Sequence, residues 1–217
     1  MTGLVLDDVA IALGDRPLVG PLSLEVAPGE VVTVMGPSGS GKSTLLAYVG
    51  GFLAKAFSAR GRVLVDGLDV GAMPPEKRAV GILFQDDLLF PHLTVGGNLA
   101  FGLRGSVREA VRRRAIVEEA LAQANLAGFA DRDPATLSGG QRARVALMRT
   151  LLAEPRVLLL DEPFGKLDAA LRQDVRAFVF ARARDRGLPT LLVTHDAEDA
   201  RAAGGRVVEV GVGAPRS

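Results

Sequence analysis

Short aliphatic runs recur along the chain, at Val5–Leu13, Leu22–Val26, Val31–Met35, Arg62–Val65, Gly81–Phe84, Val157–Leu160, Thr190–Thr194 and Arg206–Val210. Several are nearly continuous rather than alternating, the pattern of strands buried on both faces of a parallel sheet. Segments with helical spacing lie between them: Lys42–Gly50, Val107–Ala127, Gly140–Ala153, Asp168–Arg186 and Ala197–Ala203. Strands that alternate with helices predict an α/β fold. The stretch from Asp86 to Arg149 carries no convincing strand and reads as a helical insertion into that core. The last few residues read as a frayed terminus.

At 217 residues the expectation is one domain, with room for a subdomain. The 26 Lys and Arg nearly cancel the 25 Asp and Glu, so charge makes no case for a nucleic-acid partner. Four arginines between Arg108 and Arg114 lie near Glu109, Glu118 and Glu119 and read as a solvated helix face. With no Cys, disulfides, zinc–thiolate sites and thiol nucleophiles are excluded. Mean hydropathy is +0.24, yet every apolar run stops far short of the roughly 20 residues that span a bilayer. Asp7 and Asp8 stand where a secretory signal carries positive charge. A cytosolic protein is expected, or one that reaches a membrane through a partner.

Only four of the basic residues are lysines, and Lys42 sits in the most informative segment. Val31–Met35 runs into Gly36, Pro37, Ser38, Gly39, Ser40, Gly41, Lys42, Ser43 and Thr44, with a helical pattern after them. This is G-x-x-x-x-G-K-[ST] in a strand–loop–helix context. Glycines let the backbone curl so that successive N–H groups point at phosphates. The following helix adds the positive end of its dipole. Lys42 would reach the β- and γ-phosphates, and the Ser43 hydroxyl would bind Mg²⁺.

Val157–Leu160 leads into Asp161, Glu162 and Pro163. Strand C-termini are where open α/β sheets bind ligands. Asp161 is suited to hold Mg²⁺, directly or through water. Glu162 lies one residue on, faces elsewhere, and is suited to orient or deprotonate an attacking water. Leu137, Ser138, Gly139, Gly140 and Gln141 precede a helical run and form a second anion-binding helix N-terminus. One nucleotide cannot readily use two such cradles from one chain, but a second copy of the chain could supply the other.

With these motifs in this order, the sequence resembles the ATP-binding cassette (ABC) ATPases over nearly its whole length. The phosphate loop is at 36–43, Gln85 ends a strand, and LSGGQ is at 137–141. Asp161-Glu162 and Leu167-Asp168 follow, and His195 closes Leu192-Val193-Thr194-His195. The resemblance implies a single ABC ATPase domain over 1–217. Its nucleotide-binding core would come from 1–85 and 150–217, a mostly parallel sheet with an N-terminal antiparallel β part. The inserted helical subdomain, 86–149, would carry the signature. It further implies Glu162 as catalytic base, His195 and Lys42 at the γ-phosphate, and Mg²⁺ held by Ser43, Asp161 and Gln85. Asp168 would lie at a dimer seam, and Ser138, Gly139, Gly140 and Gln141 would engage the ATP of the opposite subunit.

The segment Gln85–Val95 resembles that of small bacterial importer subunits of the thiamine, iron and sulfate type. In those it receives a short helix of a membrane permease. Phe84, Leu88, Leu89, Phe90 and Leu93 would supply apolar contacts there, or pack the subdomain's own core. The chain stops 22 residues after His195, so no appended regulatory domain is expected. The resemblance therefore implies a transport ATPase using ATP and Mg²⁺. Its partners would be a second copy or a homologous cassette, an integral membrane permease and, through that, a solute-binding protein, with no nucleic acid. It would work at the cytoplasmic face of the inner membrane. The alternatives are a soluble ABC ATPase and a non-hydrolysing nucleotide-binding adaptor.

Two positions depart from the family pattern. Leu13 occupies the place of the aromatic residue that stacks on adenine, and no aromatic precedes Tyr48. Lys166 stands where a small polar residue is usual, and at a symmetric seam could repel its copy or pair with an acid opposite.

Overall fold

The computed structural model describes residues 3–103, 105 and 107–210, so the terminus read as frayed lies outside them. The described elements run β1 (Leu4–Leu13), β2 (Arg16–Val26), β3 (Val31–Met35), α1 (Lys42–Gly50), β4 (Phe57–Val65), β5 (Leu68–Asp69) and β6 (Val80–Leu83). Then follow α2 (Val95–Gly102), α3 (Ala110–Gln123), α4 (Gly139–Leu152), β7 (Val157–Asp161), α5 (Ala169–Asp185), β8 (Thr190–Val193), α6 (Ala197–Ala203) and β9 (Val207–Glu209).

Two compact units result. The first holds Met1–Ile82, Arg156–Glu162 and Phe180–Ser217, the second Leu83–Pro155 and Pro163–Val179. The second unit is wider than the stretch 86–149 set apart in the sequence. It takes in the start of α5, whose Leu171 and Val175 lie against Gly140 of α4; a Cβ there would meet them at 3.4–3.5 Å.

In the first unit a five-stranded sheet runs in the order β6-β7-β8-β3-β9, with β7, β8, β3 and β9 parallel. The continuous apolar runs are buried as expected: every residue of β8, and all but the last of β3 and β7. An antiparallel sheet, β2-β1-β4-β5, supplies the other layer. Leu4, Leu6, Val9 and Ile11 of β1 join Val32, Val34, Leu45, Val49 and Leu159 in one core. The alternation in β1 changes phase between Leu6 and Val9. Asp8 takes up the extra residue with φ 50°, and the β1–β2 register shifts there. Opposite this bulge a Cβ at Gly61 would come within 2.6 Å of the Asp7 and Asp8 carbonyls, so the partner strand needs glycine at that point.

β2 starts at Arg16, six residues before the expected Leu22. Pro17 and Pro21 hid it, and an edge strand tolerates both because its outer N–H groups need no ladder partner. α2 was missed altogether. Its sequence VGGNLAFG is a poor helix former, yet two of its glycines are demanded by close approach. A Cβ at Gly96 would lie 3.0 Å from Ala130 O, and one at Gly102 2.2 Å from Arg149 O. Thr94 caps the helix by accepting from the Gly97 N–H at 3.0 Å. α3 ends at Gln123 rather than near Ala127, and Asn125 follows at φ 58°.

The edge of the parallel sheet is tied by Glu30, ahead of β3, and Arg206, ahead of β9. Glu30 accepts from Arg206 Nε at 2.9 Å and from the Ala27 N–H at 2.8 Å. Burial pushes the Glu30 carboxyl up, but the Arg206 hydrogen bond, the Ala27 N–H and the Arg206 charge together hold it below its ordinary value. A depressed carboxylate contributes stability that is present above its unfolded pKa and lost as pH falls through the folded one. Glu30→Gln should lower unfolding free energy at neutral pH by about 1 kcal/mol or less, since Arg206 is solvent-exposed. Denaturant titrations at descending pH should show the two proteins converge across the carboxylate range.

Candidate active site

Neighbouring parallel strands present their C-terminal ends together, and the loops after β7, β8 and β3 carry the chemistry. Pairing puts Asp161 beside Val193 and Val193 beside Val34. The loop after β3 turns through Gly39 at φ 78° and Gly41 at φ 88°, both left-handed conformations that favour glycine. Gly41 is the N-cap of α1; no side chain caps the helix and no acid lies in its first turn. Its first N–H groups are thus available to an anion. A Cβ at Gly36 would sit 2.3 Å from Val210 O and 2.8 Å from Ser40 Oγ. Ser40 Oγ is buried and has no hydrogen-bond partner in the protein, which fits a polar group arriving from outside. Pro37, Ser38 and Gly39 are exposed, and Thr44 is half-buried on α1.

Lys42 is 6% exposed and folds back over the loop, donating to the Gly36 and Pro37 carbonyls at 2.8 and 3.0 Å. Ser43 Oγ donates to Asp161 Oδ1 at 2.9 Å. Burial raises the Asp161 pKa; the Ser43 hydrogen bond works against this, the Glu162 charge adds to it, and Lys42 opposes it. Glu162 adopts φ 45°, a strained conformation for its residue type, and its N–H donates to Val193 O at 2.9 Å. That turn brings its Oε1 within 3.1 Å of His195 Nδ1. Five of the residues singled out in the sequence, Lys42, Ser43, Asp161, Glu162 and His195, are brought together in one unit.

Gln85, Ser138, Gly139, Gly140, Gln141 and Asp168 lie in the second unit. Ser138 and Gln141 close a capping box at the start of α4. The Ser138 hydroxyl accepts from the Gln141 N–H at 3.3 Å, and Gln141 Oε1 accepts from the Ser138 N–H at 2.9 Å. The hydroxyl proton remains available for donation. Gly139 is half-buried beside Leu167 and Gly140 is buried. Asp168 Oδ1 accepts from the Leu171 N–H at 3.0 Å, at the start of α5. Gln85 is exposed, two residues past β6. Lys166 pairs with Asp86 of its own chain, and Arg142 lies 3.5 Å from Asp87. These residues line a cavity of about 460 Å³ with Gln85, Gly139 and Leu167. The acid that Lys166 pairs with, Asp86, belongs to the same chain rather than to a copy across a seam.

Sequence reasoning missed Asn98 and Arg149. Asn98 is fully buried on α2; its Oδ1 accepts from the Phe90 N–H at 2.7 Å, and its Nδ2 donates to Phe90 O and Thr94 O at 3.1 and 3.0 Å. Arg149 donates to Leu88 O at 2.8 Å and lies 5.2 Å above the Phe90 ring. Together they shape the loop 86–94. A polar residue inside the apolar run Val95–Gly102 was the available signal. Phe90 packs against Phe101 with ring centroids 4.6 Å apart and planes tilted by 59°, while Leu88 and Phe101 stay 57% and 66% exposed.

The profile of a family described as ABC transporter matches residues 19–165. The chain belongs to the ABC transporter family. This ABC ATPase is 46% identical over 196 residues to an uncharacterized ABC transporter ATP-binding protein of Escherichia coli, covering 90% of each chain. It is 45% identical over 208 residues to a thiamine import ATP-binding protein of Cereibacter sphaeroides, covering 96% of this chain and 88% of that one. It is 45% identical over 197 residues to a sulfate/thiosulfate import ATP-binding protein of Gloeobacter violaceus, covering 91% of this chain but only 56% of the relative's length. The ABC ATPase accordingly binds ATP and hydrolyses it.

Two predictions follow from the loop and its surroundings. Gly36→Ala forces a methyl group into the Val210 carbonyl, so the loop must shift; binding of a fluorescent ATP analogue should fall at least tenfold, about 1.4 kcal/mol, with far-UV circular dichroism unchanged. Leu13 is 44% exposed at the end of β1, and the aromatic beside it in the ladder, Phe57, packs against the core. Without a ring to stack on the base, a loss of about 1–3 kcal/mol, kcat/KM for ATP and GTP should lie within about tenfold of each other; Leu13→Tyr should widen the gap in favour of ATP.

Proposed function

We propose that this chain is the ATP-hydrolysing subunit of an importer, closing with a second copy or a homologous cassette around two ATP molecules. The observation that carries the reading is the meeting of Lys42, Ser43, Asp161, Glu162 and His195 at three adjacent strand ends. Relatives named for thiamine and for sulfate/thiosulfate import support the transport role.

On this reading the triphosphate lies on free backbone N–H groups of the loop after β3 and the start of α1, and Lys42 exchanges its carbonyl partners for the β- and γ-phosphates. Ser43 and Asp161 would hold Mg²⁺. A hydroxyl and a single carboxylate suit magnesium, which keeps several waters and binds through one or two carboxylates plus phosphates. No cluster of three or more His, Cys, Asp and Glu that could hold a metal occurs among the described residues. When bound, the ion neutralises charge on the β- and γ-oxygens. Glu162 takes the proton of the attacking water. His195 keeps Nδ1 on Glu162 and offers Nε2 to the γ-phosphate. Ser138, Gly139, Gly140 and Gln141 serve the nucleotide of the opposite subunit, and Asp168 lies at the seam.

No helix among the described residues is long and apolar enough to cross a membrane; on this reading an integral membrane permease provides the path. The exposed Leu88 and Phe101, with Phe90 packed between organised neighbours, suit an apolar helix of that permease. A solute-binding protein would join through the permease, and the ATPase would sit on the cytoplasmic face of the inner membrane.

The test uses tagged Glu162→Gln protein, loaded with ATP and Mg²⁺ and captured from detergent-solubilised native membranes. Turnover should fall by about a hundredfold or more, the scale of general base catalysis, and a multi-span membrane protein should co-purify in near-equal amount. Native turnover would remove Glu162 as the base. Soluble partners alone would favour an ABC ATPase not coupled to transport.

A further inference from the structure

Thr194 and Asp199, which hold the chain around His195 in place, have been given no role so far. Thr194, the first residue past β8, is 1% exposed, and Asp199, in the first turn of α6, is 2% exposed. Thr194 Oγ1 donates to Asp199 Oδ2 at 2.9 Å and accepts from the Asp196 N–H at 3.0 Å. A carboxylate accepts and does not donate, so it commits the hydroxyl proton and leaves a lone pair facing the amide. Asp196 in turn caps α6, its Oδ1 accepting from the Glu198 N–H at 2.7 Å.

One buried oxygen therefore links the residues on either side of His195 and anchors both to α6. The Thr194 N–H, at 3.3 Å from Val34 O, carries the β3 ladder one residue beyond β8. The imidazole that rides on this clasp is 63% exposed. Solvent and surface rotamers would disperse such a side chain; the backbone around it must supply the aim that keeps Nδ1 on Glu162.

We propose that Thr194 and Asp199 are positioning residues for the hydrolytic step, acting through His195. The proposal rests on the reading of His195 as the γ-phosphate contact. Thr194→Val keeps the shape of the side chain and removes both hydrogen bonds, whereas Thr194→Ser keeps the hydroxyl. Asp199→Asn keeps volume but weakens the charge-assisted bond.

The experiment measures phosphate release by the full chain with ATP and Mg²⁺, alongside imidazole NMR. The chain holds two histidines, His92 and His195, so the spectrum has two ring signals, assigned with His195→Ala. In Thr194→Val, kcat should drop about tenfold or more, as expected for a misaimed catalytic group, while KM stays within about twofold. The His195 signal should move, with the His92 signal in place. Thr194→Ser should recover most of the turnover, and Asp199→Asn should fall between the two. If Thr194→Val does not fold, the Asp199→Asn and Thr194→Ser pair carries the same comparison.

An unmoved His195 signal, native turnover in Thr194→Val, or a loss that Thr194→Ser fails to repair overturns the proposal. His195→Ala measured alone separates the two levels. Native turnover there overturns the role given to His195, and this proposal with it. An impaired His195→Ala beside an unimpaired Thr194→Val overturns only the positioning role.

Discussion

The active centre depends on the pairing of β8 with a parallel neighbour on each side. Thr190–Val193 bonds to Val31–Val34 across one edge and to Leu158–Asp161 across the other. Because both registers are in step, three chain segments leave the sheet at one level and deliver Lys42, Asp161, Glu162 and His195 to a common place. A slip of one residue in either ladder would turn every side chain of that strand to the opposite face. Burial on both faces makes such a slip costly, since almost no polar residue is available to tolerate water. The catalytic geometry is thus a consequence of core packing more than of contacts between the catalytic groups.

The two anion-ready helix starts are built differently, and the difference suits different duties. α1 begins at a glycine with no capping side chain, so its first N–H groups depend on whatever anion arrives. α4 is already capped by Ser138 and Gln141, which satisfy each other, so it holds its shape without a ligand. A permanent phosphate cradle gains most from open donors. If α4 meets another subunit's nucleotide as proposed, a start formed in advance leaves less ordering for the encounter.

Legibility from sequence tracked the range of the interactions. The phosphate loop, the buried strands and α1 could be read in place because local pattern determines them. β2, the bulge at Asp8 and α2 could not. Pro17 and Pro21 suit only an edge strand, Asp8 takes its conformation from strand pairing, and Gly96 and Gly102 are required by backbones more than thirty residues away. The same holds at the site. Glu162 and His195 could be named individually from the motif order, but their contact, the left-handed turn at Glu162 and the organising role of Asn98 are tertiary facts. Lys166 looked like a problem for the seam; its partner Asp86 lies eighty residues earlier, beyond any local reading.

Several groups at the site work against the folded state. Asp161 is a partly desolvated acid with Glu162 beside it, Ser40 Oγ is buried without a partner, and Glu162 occupies a strained backbone conformation. Each is set on the end of a buried strand or the start of a helix that packs against the main core, so stability is drawn from elsewhere in the unit. ATP and a cation would relieve these liabilities together, supplying an acceptor for Ser40, positive charge for Asp161 and new partners for Lys42. Binding that satisfies the folded state alone stabilises it by mass action. On the proposed reading, bound nucleotide would stabilise the first unit as well as serve as its substrate.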